Sequence, residues 1–430
     1  MKQVRRTVIV RSSRLPKSIF KMLIELEDAY RSMVEQLVLY TVRNKIKSFI
    51  KLKALKYHEM RSLYPQLPSH HVYTACQDAS TRVKSFLRLK RKGLAKKEYL
   101  VVRKVSIWLD DHLWKPNGLT WIRIATHKGW IAVDFEPHKQ YWRYVNSGWR
   151  LASEARVKLD KKNRRLIIYF TFVRDVEEYE PRGFIPVDVN EDNVAVLVDG
   201  KAYLFETGQR KLVLGYHYRR KKIQEKYDKI YGVKSRMKRK IMRKLKERRK
   251  KLDIKHKIAN IIVGVAHEKQ YAIVLEKLGK HVANGMLRRI RDRQLRHRIY
   301  QASFRGIQRA IEEKAKEYGV PVAYVDPRNT SKLCPIHGCK IKYNSRTGKC
   351  VEGGEIWHRD VAACWNILLR ALSGDGGYAS SPIGLDVDGR AVPLPSTATH
   401  DPIALPKGLW TRRKSLPQKQ NATISNKMKR

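Results

Sequence analysis

Three acidic residues stand at the ends of apolar segments, where they could act together on a phosphodiester. Asp188 follows the apolar run of IPVDVNEDNVAV, Glu276 closes YAIVLE, and Asp360 opens the helix-like WHRDVAACWNIL. Carboxylate oxygens are the ligands that Mg²⁺ prefers, and a pair of such ions clamps the attacking and leaving oxygens of an in-line displacement. The three acids are therefore predicted to form one catalytic, magnesium-binding site.

Each acid also has a purely structural interpretation. Aspartate is a preferred helix N-cap, so Asp360 could serve only to begin its helix. Asp188 could be a turn residue, because Asn, Glu and Asp follow it at positions 190 to 192. Glu276 could pair with Lys277 or Lys280 at the surface. These alternatives stay open on the sequence alone.

Cysteine and histidine residues between 334 and 358 have the spacing of a zinc site. Such sites use closely spaced pairs of ligands joined by a loop, and Cys334 and His337 make a first pair. Cys350 is predicted as the third zinc ligand, and either Cys339 or His358 as the fourth. The alternative is a segment that folds without zinc.

The charge balance predicts a polyanionic partner. The 430 residues include 92 Lys and Arg against 40 Asp and Glu, a formal charge of +52, which indicates nucleic acid. The hydrophobic content of 42% excludes a mostly disordered chain. No apolar run reaches membrane-spanning length and the charged N-terminus lacks the features of a signal peptide, so an intracellular protein is expected.

The elements that position these residues change along the chain. Residues 16 to 92 have the apolar spacing of helices, residues 99 to 176 alternate as short strands, and helix-strand alternation after residue 181 indicates an α/β domain. Residues 210 to 257 are predicted as a basic helix or helical hairpin. Its cations are predicted to contact nucleic acid, namely Arg219, Arg220, Lys238, Arg239, Lys240, Arg243 and Lys244.

Three segments resemble a known family. VDVNEDNVAV, AIVLEKL and RDVAACWNIL are similar to the three RuvC-type segments of the RNase H-like fold, in the order found in TnpB proteins, the transposon-encoded RNA-guided DNA nucleases related to type V CRISPR effectors. TSKLCPIHG, at 330 to 338, is similar to the zinc-binding stretch of that family. The family pattern expects a further cysteine near 353, where this sequence has Gly353 and Gly354.

The resemblance implies a function and its partners. Asp188, Glu276 and Asp360 occupy the positions of the family's metal-binding catalytic acids, which implies an RNA-guided, Mg²⁺-dependent DNA endonuclease of an insertion sequence. Guide RNA and target DNA would be its partners, two Mg²⁺ ions its catalytic cofactor and Zn²⁺ a structural ion. A cytoplasmic, nucleoid-associated protein of a prokaryote is expected. A transposase that joins strands, or a non-catalytic nucleic-acid-binding regulator of transposition, are the alternatives.

The expected architecture is an α/β RNase H-like (RuvC-like) nuclease domain with an inserted zinc knuckle, preceded by a helical block and a β-barrel-like domain. The expected boundaries are 1–15 for the first strand of the β-barrel-like domain, 16–98 for the helical recognition block, 99–180 for the β-barrel-like nucleic-acid-binding domain, 181–327 for the RuvC-like domain with its basic segment 210–257, 328–357 for the knuckle, 358–372 for the third RuvC-like segment, and 373–430 for a disordered basic tail.

Overall fold

The chain divides into two units, residues 1–175 and 176–430, in a computed structural model that describes residues 1–373 apart from 96, 234, 280, 281 and 289. The predicted disordered tail, 373–430, lies outside the described residues from 374 onward. None of the helices in the described part combines the length and the apolar character that crossing a bilayer requires.

The helical segments of the first unit follow the apolar spacing of residues 16 to 92. They are α1 (Lys17–Arg43), α2 (Phe49–Leu63) and α3 (Ser69–Arg91). Helix α1 buries residues three and four apart on one face, including Leu23, Leu26, Tyr30, Met33 and Leu37.

A nearly closed, barrel-like sheet makes up the rest of the first unit. Its strand order is β2-β6-β7-β1-β5-β4-β3, so the N-terminal strand lies at the centre of the sheet. Helix α4 (Lys139–Val145) connects β5 to β6. The strands are β1 (Lys2–Ser12), β2 (Ile107–Leu109), β3 (Trp114–Asn117), β4 (Trp121–Thr126), β5 (Gly129–Glu136), β6 (Arg150–Asp160) and β7 (Arg165–Val176).

The second unit is built on a mixed sheet with the strand order β10-β9-β8-β11-β12. Strands β8, β9 and β10 are antiparallel neighbours, whereas β11 runs parallel to both β8 and β12. Both faces are covered, which explains the continuous apolar runs of these strands. The strands are β8 (Phe184–Val189), β9 (Asn193–Val198), β10 (Lys201–Glu206), β11 (Ala272–Glu276) and β12 (Val322–Val325).

Two helical segments interrupt this sheet. The basic segment 210 to 257, predicted as one helix or a hairpin, is part of three helices, because Gly232 ends the first at a φ of 74° and the Ser235 side chain caps the second. The connection from β10 to β11 comprises α5 (Gln209–Tyr231), α6 (Arg236–Lys244) and α7 (Glu247–Lys269), and that from β11 to β12 comprises α8 (Val282–Leu287), α9 (Arg293–Gln301) and α10 (Phe304–Tyr318).

A small antiparallel sheet leads into the last described helix. Its strands are β13 (Ile341–Asn344), β14 (Thr347–Cys350) and β15 (Ile356–His358), with β14 in the centre, and helix α11 (Arg359–Leu372) follows directly. Helix α11 covers the face of the five-stranded sheet opposite to α7 and α10, through Cys364 against Ala195 and Leu197 and through Ile367 against Val274. This packing fixes where its first turn lies.

Candidate active site

Asp188 and Glu276 lie side by side at the ends of two parallel strands. Val187 of β8 is in register with Leu275 of β11, so the acid that follows each of them comes next in the same direction. Asp188 is within β8 and is 8% exposed, which contradicts the interpretation of this residue as a turn residue. Neighbouring parallel strands are about 4.8 Å apart, so the two carboxylates share one edge of the sheet.

Asp360 lies in the first turn of α11 but does not cap it. The N-cap position is taken by His358, whose side chain makes no capping hydrogen bond. The Asp360 carboxylate is 1% exposed and accepts hydrogen bonds from other elements instead, from Asn193 Nδ2 at 3.0 Å and from Arg346 Nη1 at 2.9 Å to each oxygen. The helix therefore aims this acid at the sheet.

The three acids are close enough to affect one another's ionisation. Burial, followed by the charges of Glu276 and Asp360, raises the pKa of Asp188 to about 8, although Asn190 Nδ2 donates to its Oδ2 at 2.8 Å. Burial likewise raises the pKa of Glu276. Three carboxylates gathered in a dry pocket favour either a bound proton or a bound cation.

Glu276 is held from the loop after β12. Thr330 Oγ1 donates to Glu276 Oε1 at 2.7 Å, and this contact replaces the predicted pairing with Lys277. Asn366 of α11 in turn donates from Nδ2 to the carbonyl oxygens of Thr330 at 2.7 Å and Leu333 at 2.9 Å. Asn366 thereby ties the helix that carries Asp360 to the loop that orients Glu276.

The donor set fits a divalent cation. Besides the three carboxylates, Asn193 Oδ1 is shielded from solvent and has no hydrogen-bond partner among the described residues. An orphaned buried amide oxygen costs stability unless a donor or a cation satisfies it. Oxygen ligands of this kind suit Mg²⁺ rather than a softer transition metal.

The raised pKa of Asp188 leads to a prediction for the protein without Mg²⁺. The folded state holds a proton that the unfolded state releases near pH 4, so stability is expected to fall as pH rises from about 5 to about 8. Thermal unfolding followed by calorimetry across this range, in magnesium-free buffer, checks the slope. Asp188→Asn removes the titrating group, so an equally steep slope in that variant would contradict the assignment.

The predicted zinc ligands come together beside this site. Cys334 Sγ lies 3.6 Å from His337 Nδ1, and Cys350 Sγ lies 3.5 Å from the same nitrogen. Burial acts to raise the pKa of Cys350, but N–H groups of Gly353 and Glu352 and other hydrogen bonds outweigh it and hold that pKa below its ordinary value. A stabilised thiolate is the form that binds metal.

The two residues predicted as alternatives for the fourth zinc position are placed differently. Cys339 Sγ lies 3.3 Å from Cys350 Sγ. His358 pairs with Thr347 in the β14–β15 register, three residues along the strand from Cys350, so its side chain points to the other face of the small sheet. The structure brings Glu355 into the cluster in its place: the ligand atoms of Cys334, His337, Cys350 and Glu355 all lie within 4.8 Å of one another.

The predicted nucleic-acid contacts on the basic helices differ in exposure. Arg219, Arg239, Lys240, Arg243 and Lys244 are exposed. Arg220 is half-buried and lies 3.3 Å from Glu247.

Lys238 is the exception among the predicted contacts. It is 8% exposed and its ammonium pairs with Asp228 across the α5–α6 turn. This burial withdraws Lys238 from a phosphate backbone, and the correction follows from its position on the inner face of α6.

The sequence reasoning missed four side chains that contact the acids or the metal cluster. Thr330 and Asn193 lie within the motifs that identified the site, but a hydrogen bond across more than fifty residues leaves no periodic signal. Arg346 lies at the β13–β14 turn, and Glu355 is opposite Cys350 only because Cys350 N–H donates to its carbonyl oxygen at 2.9 Å. Knowing the turn and the register in advance would have found both.

Comparison with known proteins locates two matches to family models. The model described as "Cas12f1-like, TNB domain" matches residues 304–367, and the model of the "Uncharacterized protein MJ0013 family" matches residues 26–125. The first range contains the zinc cluster and Asp360.

Two solved structures share the fold. A Cas12f1-sgRNA-target DNA complex superposes with a TM-score of 0.58 at 16% identity, over 82% of this chain and 83% of that one. The mini-RNA-guided endonuclease CRISPR-Cas_phi3 superposes with a TM-score of 0.54 at 10% identity, over 88% of this chain and 94% of that one.

Two proteins of Methanocaldococcus jannaschii are similar in sequence. An uncharacterised protein is 27% identical over 240 residues, 52% of this chain and 88% of its own length. A TnpB-like protein is 30% identical over 230 residues, 51% of this chain and 79% of its own length. Taken with the sheet and the acids at its edge, this similarity shows that the chain belongs to the TnpB family.

Proposed function

We propose that this protein is an RNA-guided DNA endonuclease whose second unit is an RNase H-like, RuvC-like domain that hydrolyses DNA phosphodiesters. The observation that carries the proposal is the convergence of Asp188, Glu276 and Asp360 from β8, β11 and α11 on one buried edge of the sheet. The strand order, antiparallel in β10-β9-β8 and parallel in β8-β11-β12, supports the RNase H-like assignment.

Asp188, Glu276 and Asp360 are the residues that would hold magnesium. Two Mg²⁺ ions in such a site supply an activated water and stabilise the leaving oxygen of the scissile phosphate. The protein's own groups set the geometry: Thr330 orients Glu276, and Asn193 and Arg346 orient Asp360. The acids are ligands in this proposal and shuttle no protons.

Arg346 has a second consequence for the acids. Its guanidinium is half-exposed and reaches a carboxylate that is almost fully buried, so in the metal-free protein it neutralises the charge that a cation would otherwise balance. Once a cation binds, the same guanidinium is free to approach the phosphate of a bound strand. Arg346 is therefore proposed as a positioning residue at the mouth of the site.

A structural zinc in the knuckle would hold the loops on both sides of the site. Cys334, His337 and Cys350 are proposed as ligands on the distances given above. Thr330 precedes the first ligand by four residues, and Arg346 lies between the second and third. Zinc binding by these residues would therefore fix two contacts to the catalytic acids.

The partners are proposed by analogy and by charge. The similar Cas12f1 structure is a complex with single-guide RNA and target DNA, and a chain of formal charge +52 needs a polyanion to offset its self-repulsion. In this proposal the exposed cations of α5 and α6 follow the backbone of a guide-target heteroduplex, whose base pairing supplies sequence specificity. The protein would act at the nucleoid of a prokaryotic cell.

One experiment tests the proposal as a whole. The full chain is expressed with its flanking element DNA, the RNA that copurifies is sequenced, and the complex is given DNA that carries or lacks a guide match. Cleavage only of matched DNA, and only with Mg²⁺, is expected. Joining of a donor end to target DNA would favour a transposase. Bound RNA with no Mg²⁺-dependent cutting would leave a non-catalytic regulator.

Exposed and buried cations of α6 are expected to affect RNA binding differently. Replacing Lys240, Arg243 and Lys244 together by alanine is expected to lower the slope of log K against log salt by about 2, because each lost phosphate contact releases about 0.7 to 0.9 fewer counterions. Filter binding of the copurified RNA at several salt concentrations measures the slope. Lys238→Ala is the matched control: it removes a charge from the same helix but is expected to lower thermal stability and leave the slope unchanged.

A further inference from the structure

The donor geometry of the knuckle agrees with a tetrahedral zinc site. Sulfur at about 2.3 Å and nitrogen or oxygen at about 2.1 Å from a common ion, at tetrahedral angles, are about 3.6 Å apart for sulfur and nitrogen and about 3.4 Å for nitrogen and oxygen. The measured distances are 3.6 Å from Cys334 Sγ and 3.5 Å from Cys350 Sγ to His337 Nδ1. His337 Nδ1 is 3.5 Å from Glu355 Oε2.

Glu355 Oε2 has no other explanation in the structure. It is shielded from solvent and lacks a hydrogen-bond partner among the residues described. A buried carboxylate oxygen without a donor is costly, since its desolvation is uncompensated. Its neighbours within reach are the cluster of metal-ligating atoms, so a cation there would satisfy it.

Gly353 explains why the carboxylate can reach this place. A Cβ built on Gly353 would overlap both Glu355 Oε1 and His337 Cε1, so the Glu355 side chain occupies the space that a side chain at 353 would take. Glu355 is opposite Cys350 on the neighbouring strand, where the Cys350 N–H donates to its carbonyl oxygen. Cross-strand partners present their side chains on the same face of a sheet.

From these contacts we infer that Glu355 is the fourth zinc ligand, so that the knuckle is a Cys₂-His-Glu site in which a carboxylate takes the position left by the glycine at 353. This inference rests on the zinc site of the proposed function. Cys339 is outside the ligand set: its sulfur lies 3.3 Å from Cys350 Sγ, shorter than the separation of about 3.8 Å that two thiolates on one tetrahedral zinc would have. The site therefore carries two thiolates.

Thiolate counting on the full-length protein tests this assignment without any cleavage assay. Zinc per chain is measured by mass spectrometry under chelator competition, and Co²⁺ is substituted so that its thiolate charge-transfer band reports the number of sulfur ligands. Glu355→Gln is expected to weaken zinc binding by about 100-fold with the two-thiolate band unchanged in position. Cys339→Ser, the matched control, is expected to leave both the zinc affinity and the band as in the wild type.

A gain of function completes the test. Gly353→Cys combined with Glu355→Ala is expected to restore tight zinc binding and to raise the charge-transfer band by half, since a third thiolate replaces the carboxylate. Loss of zinc and of a share of the band in Cys339→Ser, with wild-type affinity in Glu355→Gln, would overturn the inference in favour of Cys339. Guided cleavage by the wild type in that case would leave the proposed function standing.

Discussion

Asp188→Asn and Asp360→Asn are both expected to reduce guided DNA cleavage by about 1,000-fold or more, yet to shift the stability of the metal-free protein in opposite directions. A magnesium ligand is lost in each, which corresponds to about 4 kcal/mol of transition-state stabilisation. Guide RNA and target DNA binding are expected to be unchanged, because the acids are buried at the sheet edge and offer no charge to a phosphate.

The opposite stability shifts follow from the partners of each acid. An amide at 188 still accepts from Asn190 and removes a buried charge, so the melting temperature without Mg²⁺ is expected to rise by a few degrees. An amide at 360 has one acceptor oxygen, whereas Asn193 and Arg346 donate to both carboxylate oxygens. Its NH₂ group therefore faces a donor, and the melting temperature is expected to fall.

Cleavage kinetics and calorimetry on the same preparations measure both effects. Glu191→Gln is the control for charge removal near the sheet edge, since Glu191 pairs with Arg298 and has no assigned metal role. Full cleavage in Asp360→Asn would exclude this residue from the metal site. Destabilisation by both amides would contradict the electrostatic account of Asp188.

Loss of the knuckle metal is expected to have the second large effect. Cys350→Ser removes a thiolate from the centre of the small sheet, and cleavage is expected to fall by about 10- to 100-fold even at saturating Mg²⁺. The reason is positional: Arg346 and Thr330, which contact Asp360 and Glu276, lie on the loops that the knuckle holds. The magnesium concentration for half-maximal cleavage is expected to rise.

Cleavage at graded Mg²⁺, with zinc content measured in parallel, checks this prediction. Cys339→Ser is the matched control, because it removes a sulfur from the same segment without removing a ligand. A zinc-free Cys350→Ser protein that cuts at the wild-type rate and magnesium requirement would show that the knuckle does not position the acids.

The sequence predicted those parts of the site that local pattern determines. Asp188 and Glu276 each end an apolar strand, and Asp360 begins an amphipathic helix, so periodicity alone located them. Cys334, His337 and Cys350 were found by spacing. What failed depended on tertiary detail: burial of Lys238 requires the α5–α6 turn, and the nearness of Glu355 to Cys350 requires the register of β14 and β15. No residue count along the chain contains either.

The domain plan was predictable to the same degree. The switch from helical to alternating periodicity near residue 99 and the return of helix-strand alternation near 181 correspond to real changes of architecture, and the contact boundary falls at 175. The break of the basic segment into three helices was missed, because single residues, Gly232 and Ser235, interrupt a helical charge pattern that otherwise continues.

The contact between Arg346 and Asp360 gives the protein an order of maturation. A guanidinium delivered by the knuckle occupies the carboxylate before magnesium arrives, so a chain that has loaded its knuckle can reach its folded shape in a cell where free Mg²⁺ is momentarily scarce. A chain with an empty knuckle lacks that temporary counter-ion and would assemble its acids against their mutual repulsion. Zinc supply therefore decides when the nuclease becomes competent, and magnesium decides only when it cuts.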